Sequence, residues 1–83
     1  MITAFILIIM KSRDENKVIE KLKADPRVKE VYKVYGEYDV IVKLEVEDVS
    51  ELDDFRDKVL RKIREVVMSE ILIARESFRG EKG

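Results

Sequence analysis

The run Ile2-Thr3-Ala4-Phe5-Ile6-Leu7-Ile8-Ile9-Met10 constrains this chain more than any other segment. It is rich in β-branched residues and apolar on both sides of the alternation, so as a strand both of its faces require burial. A membrane span needs about 20 apolar residues. This run has 9, with no basic leader segment and no small-residue cleavage site. It therefore reads as a strand in a cytoplasmic protein. Val66 to Glu76 repeats the pattern, with Ile71, Leu72, Ile73 and Ala74 apolar on both faces of its middle.

Between these two strands the chain switches period twice. Ser12 followed by Glu15 is a capping-box pattern, and Val18, Ile19 and Leu22 give the helix that follows its apolar stripe. Asp25-Pro26 ends it, because the residue before proline is pushed out of the α region. Val28 to Tyr35 and Tyr38 to Glu47 read as two further strands. In the second, Tyr38, Val40, Val42, Leu44 and Val46 fall on one side, and Asp39, Ile41, Lys43, Glu45 and Glu47 on the other. Asp48 with Glu51, or Ser50 with Asp53, can cap a second helix, in which Leu52, Phe55, Val59 and Ile63 recur at helical spacing. Asp54–Lys58 and Asp57–Arg61 are i,i+4 ion pairs on its surface.

The order is βαββαβ, which predicts an α+β, ferredoxin-like fold: a four-stranded antiparallel sheet with both helices on one face and the first and third strands central. Residues 1–78 form the domain and 79–83 a frayed tail. Two helices cover only one face of such a sheet. The strands at both ends of the chain are apolar on both faces, so the uncovered face predicts pairing with another copy, through the sheet face or an edge, to give at least a dimer.

Composition narrows the chemistry. Neither His nor Cys is present, which removes the usual zinc and copper ligands and the usual general base, and no EF-hand pattern occurs. No cofactor or metal is therefore expected. Without disulfides, an 83-residue domain is marginal alone, and association with further copies is the stabilising device left. The 17 Lys and Arg balance 18 Asp and Glu, which disfavours direct nucleic-acid binding. Charged residues make up 42%, with Asn once and Gln absent, a usage that resembles a thermophile's.

The candidate site is the turn Gly36-Glu37-Tyr38-Asp39. Gly36 suits the first position of a two-residue type II′ hairpin. A hairpin alone needs only the glycine, so the β-disfavouring Asp39 directly after Tyr38 stands out. Its carboxylate suits an ammonium, and the N–H groups around Gly36 and Glu37 suit a carboxylate. On the structural alternative, Asp39 bonds to nearby backbone N–H groups and Tyr38 fills a core or an interface.

These elements together resemble the ligand-binding (RAM) domain of the Lrp/AsnC, or feast/famine, transcriptional regulators. The resemblance spans essentially the whole chain. It is carried by Val31 to Val42 with its Gly36-Glu37-Tyr38-Asp39 turn, then Leu44-Glu45-Val46, Val49-Ser50-Glu51-Leu52, and Val66-Val67-Met68-Ser69-Glu70-Ile71-Leu72-Ile73. It implies a dimeric α+β barrel type of assembly, a higher ring of dimers, and an effector pocket between dimers. Gly36, Glu37, Tyr38, Asp39 and Ser69 would line that pocket. Three departures stand out. No helix-turn-helix segment is present, Arg64-Glu65-Val66 replaces Pro-Gly-Val, and Ile71 stands where a second hydroxyl is usual. The resemblance implies a non-enzymatic sensor of an amino acid that acts on transcription through full-length Lrp/AsnC regulators.

Other functions fit less well. A small dimeric α+β barrel enzyme shares the architecture but lacks the usual reactive groups here, and a purely structural oligomerisation module uses only the apolar face. An RNA-recognition domain needs sheet-face aromatics in a basic string, where this chain has Val40-Ile41-Val42-Lys43-Leu44-Glu45-Val46. An ACT domain needs a glycine-rich turn that Lys11-Ser12-Arg13-Asp14 lacks.

Overall fold

Strand β1 (Ile2–Met10) is the member on which the sheet assembles in the computed structural model, which describes residues 1–11 and 14–81. It pairs antiparallel with β3 (Val40–Val46) on one side and with β4 (Val66–Ile73) on the other, and β2 (Val28–Lys33) pairs with the outer edge of β3. The strand order is β2-β3-β1-β4, so the first and third strands are central, as the element order predicts. Helix α1 (Glu15–Lys23) joins β1 to β2, while α2 (Val49–Lys58) and a 3₁₀ turn (Leu60–Lys62) join β3 to β4.

The alternation expected of the central strands is present. Ala4, Ile6 and Ile8 of β1 and Val40, Val42, Leu44 and Val46 of β3 are buried against Val18 and Leu22 of α1 and Leu52 and Phe55 of α2. Each fully buried aliphatic or aromatic side chain contributes about 1.5–3 kcal/mol. Nine-residue α1 falls short of the ~12–15 residues an isolated helix needs, so Val18 and Leu22 hold it by packing. On the opposite face Thr3, Phe5, Leu7 and Ile9 of β1 are only half-buried, and the facing residues Met68 and Leu72 of β4 are exposed. Among the described residues no helix covers this face.

Several boundaries differ from the sequence reading. The serine expected to cap α1, Ser12, lies outside the described residues, and Asp14 at the helix start makes no side-chain cap bond. For α2 the first of the two alternatives is the one adopted: Glu51 N–H donates to Asp48 Oδ1 at 3.0 Å, and Glu51 Oε2 accepts from Glu47 N–H at 2.7 Å. Helix α2 stops at Lys58 rather than running on to Ile63. The tighter 3₁₀ turn brings residues three apart onto one side, so Leu60 and Ile63 both enter the core. The expected surface pairs form, Asp54–Lys58 at 2.9 Å and Asp57–Arg61 at 3.4 Å. Strand β2 ends two residues before Tyr35, β3 starts two after Tyr38, and β4 stops at Ile73 instead of Glu76.

One polar cluster locks the α1–β2 connection to α2. Asp25 accepts from Arg27 Nη2 at 2.7 Å, Nε at 2.9 Å and backbone N–H at 2.9 Å, while Arg27 Nη1 reaches Asp54 at 3.0 Å. The guanidinium carbon also lies 5.4 Å from the centre of the Phe55 ring. The fork of Arg27 matches the carboxylate geometry in a way a lysine would not. Its hydrogen bonds hold the Asp25 carboxyl below its ordinary value of 3.8, against the opposing effect of burial. A carboxylate depressed in the folded state contributes stability that is present above its unfolded pKa and lost as pH falls through its folded one. Arg27→Ala is expected to lower unfolding stability by about 2 kcal/mol at neutral pH. The loss should shrink as pH falls below about 3.8, which urea unfolding at several pH values measures.

Candidate functional site

The β2–β3 connection is not the two-residue type II′ turn expected. The last bond between the two strand segments is Val34 N–H to the Asp39 carbonyl, at 3.0 Å, which leaves the four residues Tyr35 to Tyr38 in the loop. Gly36 does take the left-handed conformation, with φ of 123°, and open space surrounds its missing Cβ. Glycine is required there for backbone freedom rather than for room.

Asp39 explains the wider loop. Its N–H donates to the Ile8 carbonyl at 2.8 Å, and its Oδ2 accepts the Met10 N–H at 2.7 Å. The carboxylate thus stands in for a backbone carbonyl just past the end of the β1–β3 ladder, whose last matched pair is Ile8 with Val40. Asp39 is drawn towards β1, and the chain needs extra residues to return to β2. The bond to a neighbouring backbone N–H is the structural role that the sequence left open for this residue. It leaves the other carboxylate oxygen with no protein partner among the described residues.

Tyr38 departs from its expected side. Strand alternation puts it with Val40 on the helix side, but it precedes the strand proper. Its hydroxyl instead donates to Glu70 Oε2 at 2.8 Å. Glu70 pairs with Leu7, so this contact lies on the uncovered face and bridges the loop to β4 across β1. The Glu70 carboxylate raises the Tyr38 phenol above its ordinary pKa of 10.0, through the hydrogen bond first and its charge second. Glu70 was not legible as a site residue, because its contact joins positions 32 apart that only the topology brings together.

Within one chain Ser69 does not meet the loop. It pairs with Ile8 from the β4 side, whereas Asp39 approaches Ile8 from the β3 side. Two strand spacings, about 9–10 Å, separate the two backbones. Ser69 lines a separate open hollow of about 350 Å³ with Arg56, Leu60, Arg61, Ile63 and Met68. Ile71, in the place of a second hydroxyl, packs against the core. Gly36 and Glu37 are exposed, with Tyr38 and Asp39 half-buried beside them.

Among the described residues no group of three or more acids is placed to hold a metal ion, and no helix is long and apolar enough to cross a membrane. What the loop offers is one half-used carboxylate, an accessible backbone turn and a phenol tied to β4. That set suits binding of a small zwitterion better than bond-breaking chemistry.

Comparison with known proteins agrees with the fold. The family model described as the Lrp/AsnC ligand binding domain matches residues 3–81. The HTH-type transcriptional regulator FL11 of Pyrococcus furiosus is 41% identical over 58 residues, which make up 70% of this chain and 38% of FL11. This chain thus matches well under half of that relative's length. The crystal structure of FFRP-DM1 superposes with a TM-score of 0.84 at 49% identity, covering 89% of this chain and 99% of that one. The transcriptional regulator NMB0573 of Neisseria meningitidis, solved as an L-Met complex, shares the fold with a TM-score of 0.84 at 17% identity, over 95% of this chain and 53% of its own.

Two measurements check these assignments. Asp39→Ala leaves the half-buried Met10 N–H without its acceptor and should cost about 1–2 kcal/mol of stability, whereas Asp39→Asn keeps an acceptor and should stay close to wild type in thermal unfolding. In an alkaline titration followed by tyrosinate absorbance, the Tyr38 midpoint lies above 10.0 and should fall towards it in Glu70→Gln.

Proposed function

The chain belongs to the Lrp/AsnC ligand-binding domain family, and from that premise we propose that it is a non-enzymatic, oligomeric effector-binding domain that senses an amino acid. The observation that carries this reading is the Asp39 carboxylate. Met10 N–H holds one oxygen in place, the other is open, and the loop beside it presents backbone N–H groups around Gly36. The ammonium of an amino acid would take the open oxygen, and its carboxylate the loop N–H groups. That NMB0573 was solved with L-Met supports an amino acid as the ligand class.

Ser69 lies too far round the sheet to complete this pocket from within the same chain. A neighbouring copy supplies the missing wall, which makes effector binding and assembly linked equilibria. The uncovered face of the sheet supports the first step of that assembly, a dimer in which Phe5, Leu7, Ile9, Ile41, Met68 and Leu72 are buried between two copies. The regulatory output would pass to full-length Lrp/AsnC regulators through mixed assemblies, since FL11, a transcriptional regulator, carries the matching domain.

Isothermal titration of the assembled protein against the twenty amino acids tests the sensing claim. At least one should give saturable heat, and Asp39→Asn should weaken it by roughly 1.5–3 kcal/mol, the scale of a lost charged hydrogen bond. No heat from any of the twenty, with a folded oligomer in the cell, would defeat the reading. Light scattering at micromolar concentration should report at least a dimer.

A further inference from the structure

The sheet ends at Ile73, and the chain makes one more ladder bond, Ala74 N–H to the Thr3 carbonyl at 2.9 Å. Beyond it, residues 75–81 make no backbone hydrogen bond to any other described residue, and every one of them is exposed. Phe78 sits in this segment with 85% of its surface in water. A phenylalanine held so far from its own core is worth explaining, because its burial is among the larger apolar gains open to a side chain.

We propose that residues 75–81 form an arm that packs onto a second copy of this chain, with Phe78 as its anchor. The inference rests on the face-to-face dimer described above, and three observations select the second copy as the occupant. The first is position. Ala74, Arg75, Glu76 and Ser77 border a hollow with Thr3, Phe5 and Lys43, so the arm is rooted at the rim of the uncovered face and continues the surface on which the partner sits.

The second is reach. Facing sheets pack about 10 Å apart, and Phe78 lies four residues beyond the last ladder residue, an extended span of roughly 13 Å. The anchor therefore reaches the facing sheet, with the arm crossing the gap at its edge. The third is charge. Arg75 and Arg79 have no ion-pair partner among the described residues, and neither does Glu45, which alternation places on the uncovered face of β3. Two guanidiniums on the arm complement the unpaired carboxylate on the partner's face. Nothing in the described core depends on the arm, since no described residue after Ile63 is fully buried.

The chain contains no tryptophan, so Phe78→Trp gives a single reporter on the arm. Its emission should be blue-shifted at concentrations where light scattering shows the dimer, and should move to the red as dilution separates the copies. In parallel, Phe78→Ala and a chain ending at Ala74 should keep the wild-type circular dichroism and weaken dimerisation by about tenfold or more in sedimentation equilibrium. Arg75→Ala with Arg79→Ala should reduce the salt dependence of the dimer. A dimer whose affinity is unchanged by truncation, or in which the tryptophan reporter stays water-exposed, overturns the arm and leaves the dimer standing. A blue-shifted reporter that persists in the monomer also overturns it, because the arm then folds onto its own chain. A wild-type protein that is monomeric throughout overturns the dimer itself, and the arm with it.

Discussion

Everything distinctive about this domain follows from covering a four-stranded sheet on one side only. Two helices of nine and ten residues are enough to seal the face carried by Ala4, Ile6, Ile8, Val40, Val42 and Leu44. They leave β1 with a second row of apolar side chains, Phe5, Leu7 and Ile9, half-buried and without a covering layer among the described residues. An 83-residue chain without disulfides buries too little surface for this to be incidental. The uncovered row costs the monomer stability, which a second copy would recover in the proposed dimer. The two edges of the sheet differ in the same sense. Edge strand β2 reads Val-Lys-Glu-Val-Tyr-Lys and is well protected by charge, whereas β4 carries a single charge, Glu70, in eight residues.

The sequence was most legible where one physical demand acted alone. The period-two alternation of β3 predicts its buried face residue by residue, because a half-buried strand needs nothing more than the right side chains inward. The capping pair Asp48 and Glu51 was readable for the same reason, being a contact within one turn of chain. Strand ends were not readable, because they are set by partners elsewhere in the sequence. β3 cannot begin at Tyr38 once the Asp39 carboxylate is held by Met10, 29 residues away. The Arg27 cluster was likewise invisible, since it depends on Asp54 and Phe55 arriving from the second helix.

The candidate site shows the same division. Gly36 and Asp39 stood out because each is a poor strand residue in a strand-like run, and that kind of local misfit marks a position under some other constraint. What the misfit could not say is which constraint. The structure supplies a folding reason for Asp39, a ladder bond made by a side chain, and a conformational reason for Gly36, a positive φ. Extending strand alternation into the loop puts Tyr38 on the helix side, whereas its hydroxyl bonds on the uncovered face. Its actual partner, Glu70, ties the loop to β4 across the face on which a second copy would pack.

A folding role for Asp39 does not compete with a binding role, and the stoichiometry of the carboxylate shows why. An ionised carboxylate offers about four lone-pair sites, and Met10 N–H occupies one. The bond that ends the β1–β3 ladder also fixes the side chain, so a ligand ammonium meeting the second oxygen would not have to order it first. The same logic extends to the loop as a whole. Val34 binds it to β2, Ile8 and Met10 bind it to β1, and Glu70 binds it to β4. A ligand that pulled on Asp39 would therefore load three strands of one sheet, and one of those attachments, Tyr38 to Glu70, lies on the face left for a second copy. In the proposed assembly, binding at the loop and packing at that face would be joined through the Tyr38–Glu70 contact, and a link of this kind is what each would need to bias the other.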